Sequence, residues 1–403
     1  MKTKNMLLIG SVVVCAVAMV AAQLPQANKL PPPFATRSAE NPARGVARPN
    51  GALPKVPAGF SVDIYADNIV GPRTMVWAPN GDLFVAQTSQ GIILVLRDTN
   101  NDGIPDQRFV YAQGTTGPFG LAFQGGYLYV GFNKSISRYK YTPGDTTPKG
   151  APEKLVDLPT GGHNARNVIF NRAGTKMYVS IGSAGNLEEN GDPVRAAINE
   201  FNPDGTGRRI YASGIRNPVG LALYPGTDTL WTIVNERDEL GDDLVPDYAT
   251  SVKDGGFYGW PYSYIGKNLD PRIRTQKPEL VAKAIVPDIL IPAHSAGLGI
   301  AFYTGTQFPA RYRNGAFLAL HGSWNRSRAN GYKVVFVPFQ NGKPVPGVME
   351  DFLSGFVLTD GSPITTWGRP VGVLVAKDGS LLVSDDLNPG GNRIWQVKYT
   401  GAR

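Results

Sequence analysis

From Gly59 onward one pattern recurs six times: an apolar stretch, a turn bearing Gly or Asn, and a second apolar stretch. No other feature of the 403-residue chain restricts its fold so tightly. The copies are TMVWAPNGDLFVAQ (74–87), PFGLAFQGGYLYVGF (118–132), RNVIFNRAGTKMYVSIG (166–182), NPVGLALYPGTDTLWTIV (217–234), GLGIAFYTGTQFPARYRNGAFLALHG (297–322) and PVGVLVAKDGSLLVSDD (370–386). Each reads as a β-hairpin, with strands on either side of Pro-Asn-Gly, Gly-Gly, Lys-Asp-Gly or a similar turn. Six copies over ~340 residues give ~55 residues per unit, room for four strands and their loops, and that period predicts an all-β, six-bladed β-propeller. The wider gaps before the fifth and sixth copies hold insertions. The 48 Gly and 33 Pro fit a turn-rich chain, and no long amphipathic helix competes. A jelly roll or sandwich is the alternative architecture.

The N-terminus has Lys2 and Lys4, then an apolar run over Met6–Val20, then small residues up to Ala22. This reads as a secretory signal peptide over residues 1–22, with an apolar run short for a membrane span. Any membrane association would come only from an uncleaved signal segment. The lone Cys15 lies inside it, so the exported chain is expected to carry no disulfide and to rely on its core. Residues 23–55 are rich in Pro, Ala, Asn and Arg without apolar periodicity and read as an extended tether. The propeller is assigned to 56–403. The formal charge of +8 would be +6 without Lys2 and Lys4. No basic run or aromatic-interleaved basic helix accompanies it, which argues against a nucleic-acid partner.

In a propeller, residues flanking the innermost strands meet at one mouth although they are far apart in sequence. His163 and Arg166 precede the third hairpin, Arg216 and Asn217 the fourth, His294 the fifth and Arg369 the sixth; HGSWNRSR (321–328) follows the fifth. All three histidines of the chain thus fall at hairpin edges. A single such His would be read as a packing residue, but the set reads as a site. Guanidinium groups around a pore favour a planar polyanion, and a neutral imidazole can take a hydroxyl proton near neutral pH. NERDELGDDLVPD (235–247) packs Glu236, Asp238, Glu239, Asp242, Asp243 and Asp247 around Gly241, a donor set suited to calcium, although a solvated acidic loop has the same composition. Asp98, Asn100, Asp102 and Asp106 begin a second calcium-loop pattern whose twelfth position is Phe109 rather than Glu; a metal-free turn is the other reading.

SGIRNPVGLA, NERDELGDD and GGFYGWPY (255–262), in that order, resemble the soluble, pyrroloquinoline-quinone-dependent glucose/sorbosone dehydrogenase family. GGHNARN, HGSWNRS and WGRPVGV resemble its sorbosone-dehydrogenase-like branch. The likeness covers roughly residues 55–400 and implies a six-bladed propeller using pyrroloquinoline quinone and Ca2+. It implies further that His163 is the catalytic base and that Arg216 and Asn217 contact the quinone. Arg369 would bind the cofactor from the C-terminal side, joined by Arg326 or Arg328. Asp242 and Asp243 would belong to the calcium loop, with Tyr258 near it. The sequence departs from the glucose-oxidising members at Thr115-Thr116, where they have Gln-Asn, and at Ser183, where they have Asp. It also carries Arg237-Asp238 in place of Gly-Pro. Glucose itself is therefore not the expected substrate.

Hydride removal from an alcohol or hydrated aldehyde needs a base and an external acceptor, because no side chain accepts hydride. No GxGxxG between a strand and a helix and no CxxCH is present, and the quinone that the resemblance implies, ringed by arginines and with its carbonyl polarised by calcium or by Arg216 as a second catalytic residue, fits both needs. The expectation is an exported oxidoreductase acting on a small sugar, aldose or sorbosone-like aldehyde and passing electrons to an unidentified acceptor. The alternatives are a calcium-dependent propeller lactonase, in which His163 or His294 activates water, and a non-enzymatic carbohydrate- or protein-binding propeller.

Overall fold

The structure, a computed structural model, describes residues 24–401; the expected signal segment lies outside the described residues. Six sheets of four or five strands account for most of the chain, and the α-helix among the described residues is one short turn, Pro278–Val281. Each hairpin of the repeat forms the first two strands of a sheet. In the second, Gln124 pairs with Tyr127 across Gly125 and Gly126, which have φ of 56° and 80°. Those positive values are what a two-residue hairpin turn of this twist requires.

The first strands are Pro72–Trp77, Gly120–Gln124, Val168–Phe170, Asn217–Leu223, Gly297–Phe302 and Pro370–Val375. They surround an axial cavity of about 500 Å³ lined by Met75, Leu121, Ile169, Leu221, Ile300 and Val373 among others. Glycines set how closely they approach. A Cβ on Gly120 would lie 2.5 Å from the Arg166 carbonyl oxygen of the next sheet. On Gly220 it would lie 2.8 Å from Leu298 O, on Gly299 2.3 Å from Val371 O, and on Gly372 2.4 Å from Arg73 O. Asn167 Nδ2 spans the third and fourth sheets, donating to Val219 O at 3.1 Å. The Gly in the recurring Pro-x-Gly and Gly-x-Gly is thus a packing requirement of the ring.

The sixth sheet takes its outermost strand from the other end of the chain. Phe60–Ala66 pairs antiparallel with Arg393–Tyr399, Phe60 opposite Tyr399. The Phe60 ring stands edge-on to Phe308, Tyr312, Phe352 and Tyr399 at centroid distances of 4.9, 5.3, 5.1 and 5.1 Å. It thereby ties the sixth sheet to the fifth. Pairs of this geometry add about 0.5–1.5 kcal/mol each beyond area burial.

Residues 24–55 run through short turns, such as Lys29 N–H to Gln26 O and Ala35 N–H to Pro32 O, and lie against the sheets. Arg44–Gly45 pairs parallel with Thr365–Thr366, and Lys55 bridges Ser354. Having few internal backbone bonds, the segment meets its hydrogen-bonding need on the loops it crosses.

Phe60→Ala should lower unfolding stability by about 2–4 kcal/mol, because a large ring is removed from a packed junction. Urea denaturation measures this, and a loss well under 1 kcal/mol would show that ring closure does not depend on this contact.

Candidate active site

The loop 159–166 carries His163 to the mouth just before the third first strand, and two buried arginines hold it there. Arg166 donates from Nη1 to the carbonyls of His163 at 2.6 Å and Ala165 at 3.0 Å, and from Nη2 to Pro159 O at 2.9 Å. Arg195 donates to Thr160 O at 2.5 Å and Gly182 O at 3.3 Å. Arg166 is fully buried, and burial together with Arg195 lowers its pKa to about 10. It braces the loop and does not line the cavities described below. Gly162 has φ 63°, and a Cβ there would sit 2.4 Å from Ala184 O, so the glycine is required.

The imidazole of His163 is fixed in one tautomer. Nδ1 lies 3.0 Å from Ser183 O and 3.1 Å from Ser183 Oγ, and the Ser183 hydroxyl donates to Gly185 O at 2.7 Å. A carbonyl only accepts and the hydroxyl proton is already directed elsewhere, so Nδ1 carries the hydrogen and Nε2 the lone pair. Burial, then the nearby Arg216 charge, lowers the ring pKa to about 4, and at pH 7 it is neutral.

His163 and Asn217 stand in the wall shared by two cavities. The larger, about 650 Å³, is rich in hydroxyl and amide groups and includes Arg73, Thr88, Gln90, Thr115, Asn133 and Asn164. The other, about 480 Å³, sets Glu236, Asp238, Glu239 and Asp247 against Arg216 and His294, with the half-exposed Trp324 at its rim. Four carboxyl groups thus share this cavity with one guanidinium and one imidazole.

Arg216 is the hub of the smaller cavity. Its guanidinium donates to Asn186 O at 3.3 Å, Asn235 O at 3.3 Å, Glu236 O at 2.7 Å, Asn186 Oδ1 at 3.1 Å and Asp238 Oδ2 at 3.2 Å. His294, held at φ 63°, places Nε2 2.9 Å from Gly241 O and Nδ1 3.4 Å from Asp238 Oδ1. Burial pulls its pKa down, but Asp238 and the Gly241 carbonyl outweigh burial, and the net shift is upward. Asp247 accepts the Glu236 and Ala296 amides, both at 2.7 Å, and burial pushes its pKa up to about 7. Glu236 gives one oxygen to Arg237; its Oε1 is buried without a partner, as is Asn217 Oδ1.

Other expected site residues lie elsewhere. Arg369 does not line either cavity: it donates to His321 O at 3.0 Å and Gly322 O at 2.9 Å, bracing the loop after the fifth hairpin. Tyr258 is packed with Leu240 and Leu244, and its hydroxyl donates to Ser251 O at 2.7 Å. Arg326 binds the Asp242 carbonyl and the Asp243 carboxylate, and Ser327 takes the Asp242 carboxylate, so the acidic pair points at the fifth sheet's loop. Arg328 pairs with Asp360 at the surface. In the 98–106 turn, Asp98 accepts the Gly103 amide at 2.8 Å, Asp102 the Ile104 amide at 2.8 Å and Asp106 the Thr99 amide at 3.1 Å, while Asn100 Oδ1 accepts the Asp102 amide at 3.0 Å. Among the described residues no three His, Cys, Asp or Glu side chains converge as a ready metal cluster.

Asn186 and Trp324 are components that sequence reasoning missed. Asn186 joins Arg216 to the Asp238 amide, which it accepts at 2.9 Å, and takes the Trp260 indole N–H at 3.1 Å. It sits in SAGNLEEN, which carries no periodic or motif signal.

A family model described as TrAA12-like matches residues 54–252 and 273–399. An uncharacterised protein of Borreliella burgdorferi is 32% identical over 365 residues, covering 86% of this chain and 90% of its own length. A pyrroloquinoline quinone-dependent pyranose dehydrogenase of Coprinopsis cinerea is 24% identical over 70% of this chain, and the chain spans only 44% of that relative's length. Among solved structures, a calcium structure of a Trichoderma reesei carbohydrate-active enzyme of family AA12 has a TM-score of 0.74 at 20% identity, covering 86% of this chain and 97% of its own. That likeness establishes a shared fold.

NMR titration of the cofactor-free protein should place His163 protonation near pH 4, and Arg216→Gln should raise it. The unfolded ring protonates near 6.5, so between pH 6.5 and 4 the unfolded chain binds more protons, and this ring's contribution to stability is lost as pH falls through that window. A wild-type midpoint near 6.5 would refute the described environment.

Proposed function

The chain belongs to the TrAA12-like family, and on that premise we propose that it is an exported quinoprotein dehydrogenase built as a six-bladed propeller. It oxidises a small sugar, aldose or sorbosone-like aldehyde by hydride transfer to pyrroloquinoline quinone, with Ca2+ as the metal. The observation that carries this reading is the single free lone pair of His163 Nε2, presented by a neutral ring in the wall between a cavity rich in hydroxyl and amide groups and a charged one. The pyranose dehydrogenase relative and the calcium-bearing AA12 structure supply the cofactor classes.

The residues present fit both groups chemically. Glu236 Oε1 is a buried carboxyl oxygen without a partner, in a wall with three further carboxyl groups, and hard oxygens of this kind suit calcium. Glu236 and Asp247 would hold the cation. Arg216 is the positive group that would meet a quinone carboxylate, with His294 beside it in the same wall. When bound, the quinone supplies the hydride acceptor and calcium the Lewis acid.

The chain's own residues manage the proton and the geometry. His163 Nε2 takes the substrate hydroxyl proton, while Ser183 O keeps the Nδ1 hydrogen and so prevents the ring from presenting the wrong nitrogen. Asn217 Oδ1, unpaired in the same wall, can accept from a neighbouring hydroxyl and orient the substrate. Hydroxyls and amides of the larger cavity, among them Thr115, Asn133 and Asn164, offer a polyol both donors and acceptors.

The test is reconstitution with quinone and calcium, followed by sugar-dependent reduction of an artificial electron acceptor; lactone hydrolysis without quinone would favour the lactonase instead. His163→Gln should lose about 10²–10⁴ in turnover with quinone affinity kept. Near-normal turnover in that variant would remove His163 from the base role. Glu236→Gln should weaken calcium and quinone binding together, as read by calorimetry and absorbance. Unaltered calcium binding would place the cation elsewhere.

A further inference from the structure

The family model begins at residue 54, yet the segment before it reaches the charged cavity. The Phe34 amide donates to Leu240 O at 2.8 Å. Ser38 Oγ accepts the Gly241 amide at 3.1 Å, and Thr36 Oγ1 accepts the Asp242 amide at 2.7 Å. The same Gly241 offers its carbonyl to His294 Nε2. Its backbone is held between the strap on one side and the cavity's imidazole on the other. Gly241 has φ 114°, and a Cβ there would lie 2.9 Å from both Thr36 O and Thr36 Oγ1, so the glycine admits the strap at contact distance.

The strap grips a second cavity loop as well. Asn41, 95% buried, receives Ile364 N–H at Oδ1 and donates from Nδ2 to Ser327 O at 3.1 Å and Gly361 O at 3.0 Å. Its amide donates to Trp324 O at 2.7 Å, and Trp324 lines the cavity. Asn325 closes the circuit, donating to Ala39 O at 3.3 Å and accepting the Glu239 amide at 2.9 Å. Loops from the fourth and fifth sheets are therefore joined to each other through residues 34–41.

We propose that Thr36, Ser38 and Asn41 are positioning residues for the cofactor cavity: the strap sets the 239–243 loop and Trp324 in the places from which His294 and Asp238 face the ligand. This rests on the function proposed above. None of the three lines the cavity, so each acts through another residue. Free in solution, the 239–243 backbone would have to be ordered by the cofactor itself, and that ordering would be subtracted from affinity.

The experiment compares Thr36→Val/Ser38→Ala, Asn41→Ala and the conservative Thr36→Ser in the full mature chain. Amide exchange is the cofactor-independent readout. Gly241 and Asp242 should exchange about tenfold or more faster in the double variant, while 230–235 stays protected. Quinone titration in excess calcium should show a dissociation constant raised about tenfold in the double variant. At saturating quinone, turnover should recover to within about twofold, and Thr36→Ser should match wild type throughout. Unchanged exchange at Gly241 and Asp242 overturns the proposal. So does faster exchange with unchanged quinone affinity, and so does an equal affinity loss in Thr36→Ser. For Asn41→Ala the same affinity loss with a melting temperature near wild type supports the proposal, and wild-type affinity removes Asn41 from it. A wild type that binds no quinone sinks the functional reading alone, and exchange still decides whether the strap fixes the loop.

Discussion

The approach of one first strand to the next, across a position where only glycine fits, is the contact on which the molecule depends. At Gly299 and Gly372 a methyl group would sit within 2.4 Å of a carbonyl oxygen on the neighbouring sheet. That leaves no room for a rotamer change to relieve the clash, because the obstacle is backbone. The ring diameter is therefore fixed by backbone rather than by side-chain packing. Every loop that precedes a first strand is delivered to the same mouth at a set height. His163, Asn217 and His294 meet there for this reason, although they come from three sheets.

Charge is arranged around that mouth by burial as much as by pairing. Arg166 and Arg195 are buried at the His163 loop and bond to carbonyls, those of the loop and of Gly182, whereas Arg216 finds Asp238. Carbonyl partners satisfy hydrogen bonds but do not cancel charge. The loop that presents His163 thus sits in a positive field, whereas Glu236, Asp238 and Asp247 bring carboxyl groups to the smaller cavity. A polarised cavity of this kind is suited to a ligand that is itself charged at one end.

The repeat was legible because strands of this length have period two and turns have their own residue chemistry; both signals are local. His163, Arg216 and Asn217 could be picked out because propeller geometry places whatever precedes a first strand at the mouth. Arg369 obeys the same rule of position yet turns its guanidinium to the carbonyls of His321 and Gly322, an orientation set by tertiary contacts that no spacing encodes. The strap was illegible for a different reason. Pro-rich composition without periodicity carries no sign of where its hydrogen bonds go, and Thr36, Ser38 and Asn41 find partners roughly 200 to 320 residues away in the chain. Asn186 is a similar case, a single amide whose importance comes from being the acceptor that Arg216 and the Asp238 amide share.

Ser183 changes the character of the base. A carboxylate against Nδ1 would hold the imidazole by charge and raise its proton affinity; the Ser183 carbonyl fixes the tautomer and also raises that affinity, but burial and Arg216 act against it and prevail. Burial is the largest influence and the field of Arg216 the next, and both favour the neutral ring. Burial cannot be altered without opening the site, but the field can. An anion set against Arg216 offsets that charge and increases the proton affinity of His163. Proton affinity at the base and anion occupancy beside Arg216 are therefore linked through one guanidinium, and by reciprocity protonation of His163 favours the anion in turn. In the reaction proposed above, that linkage would strengthen His163 as a base when an anion occupies the cavity beside Arg216.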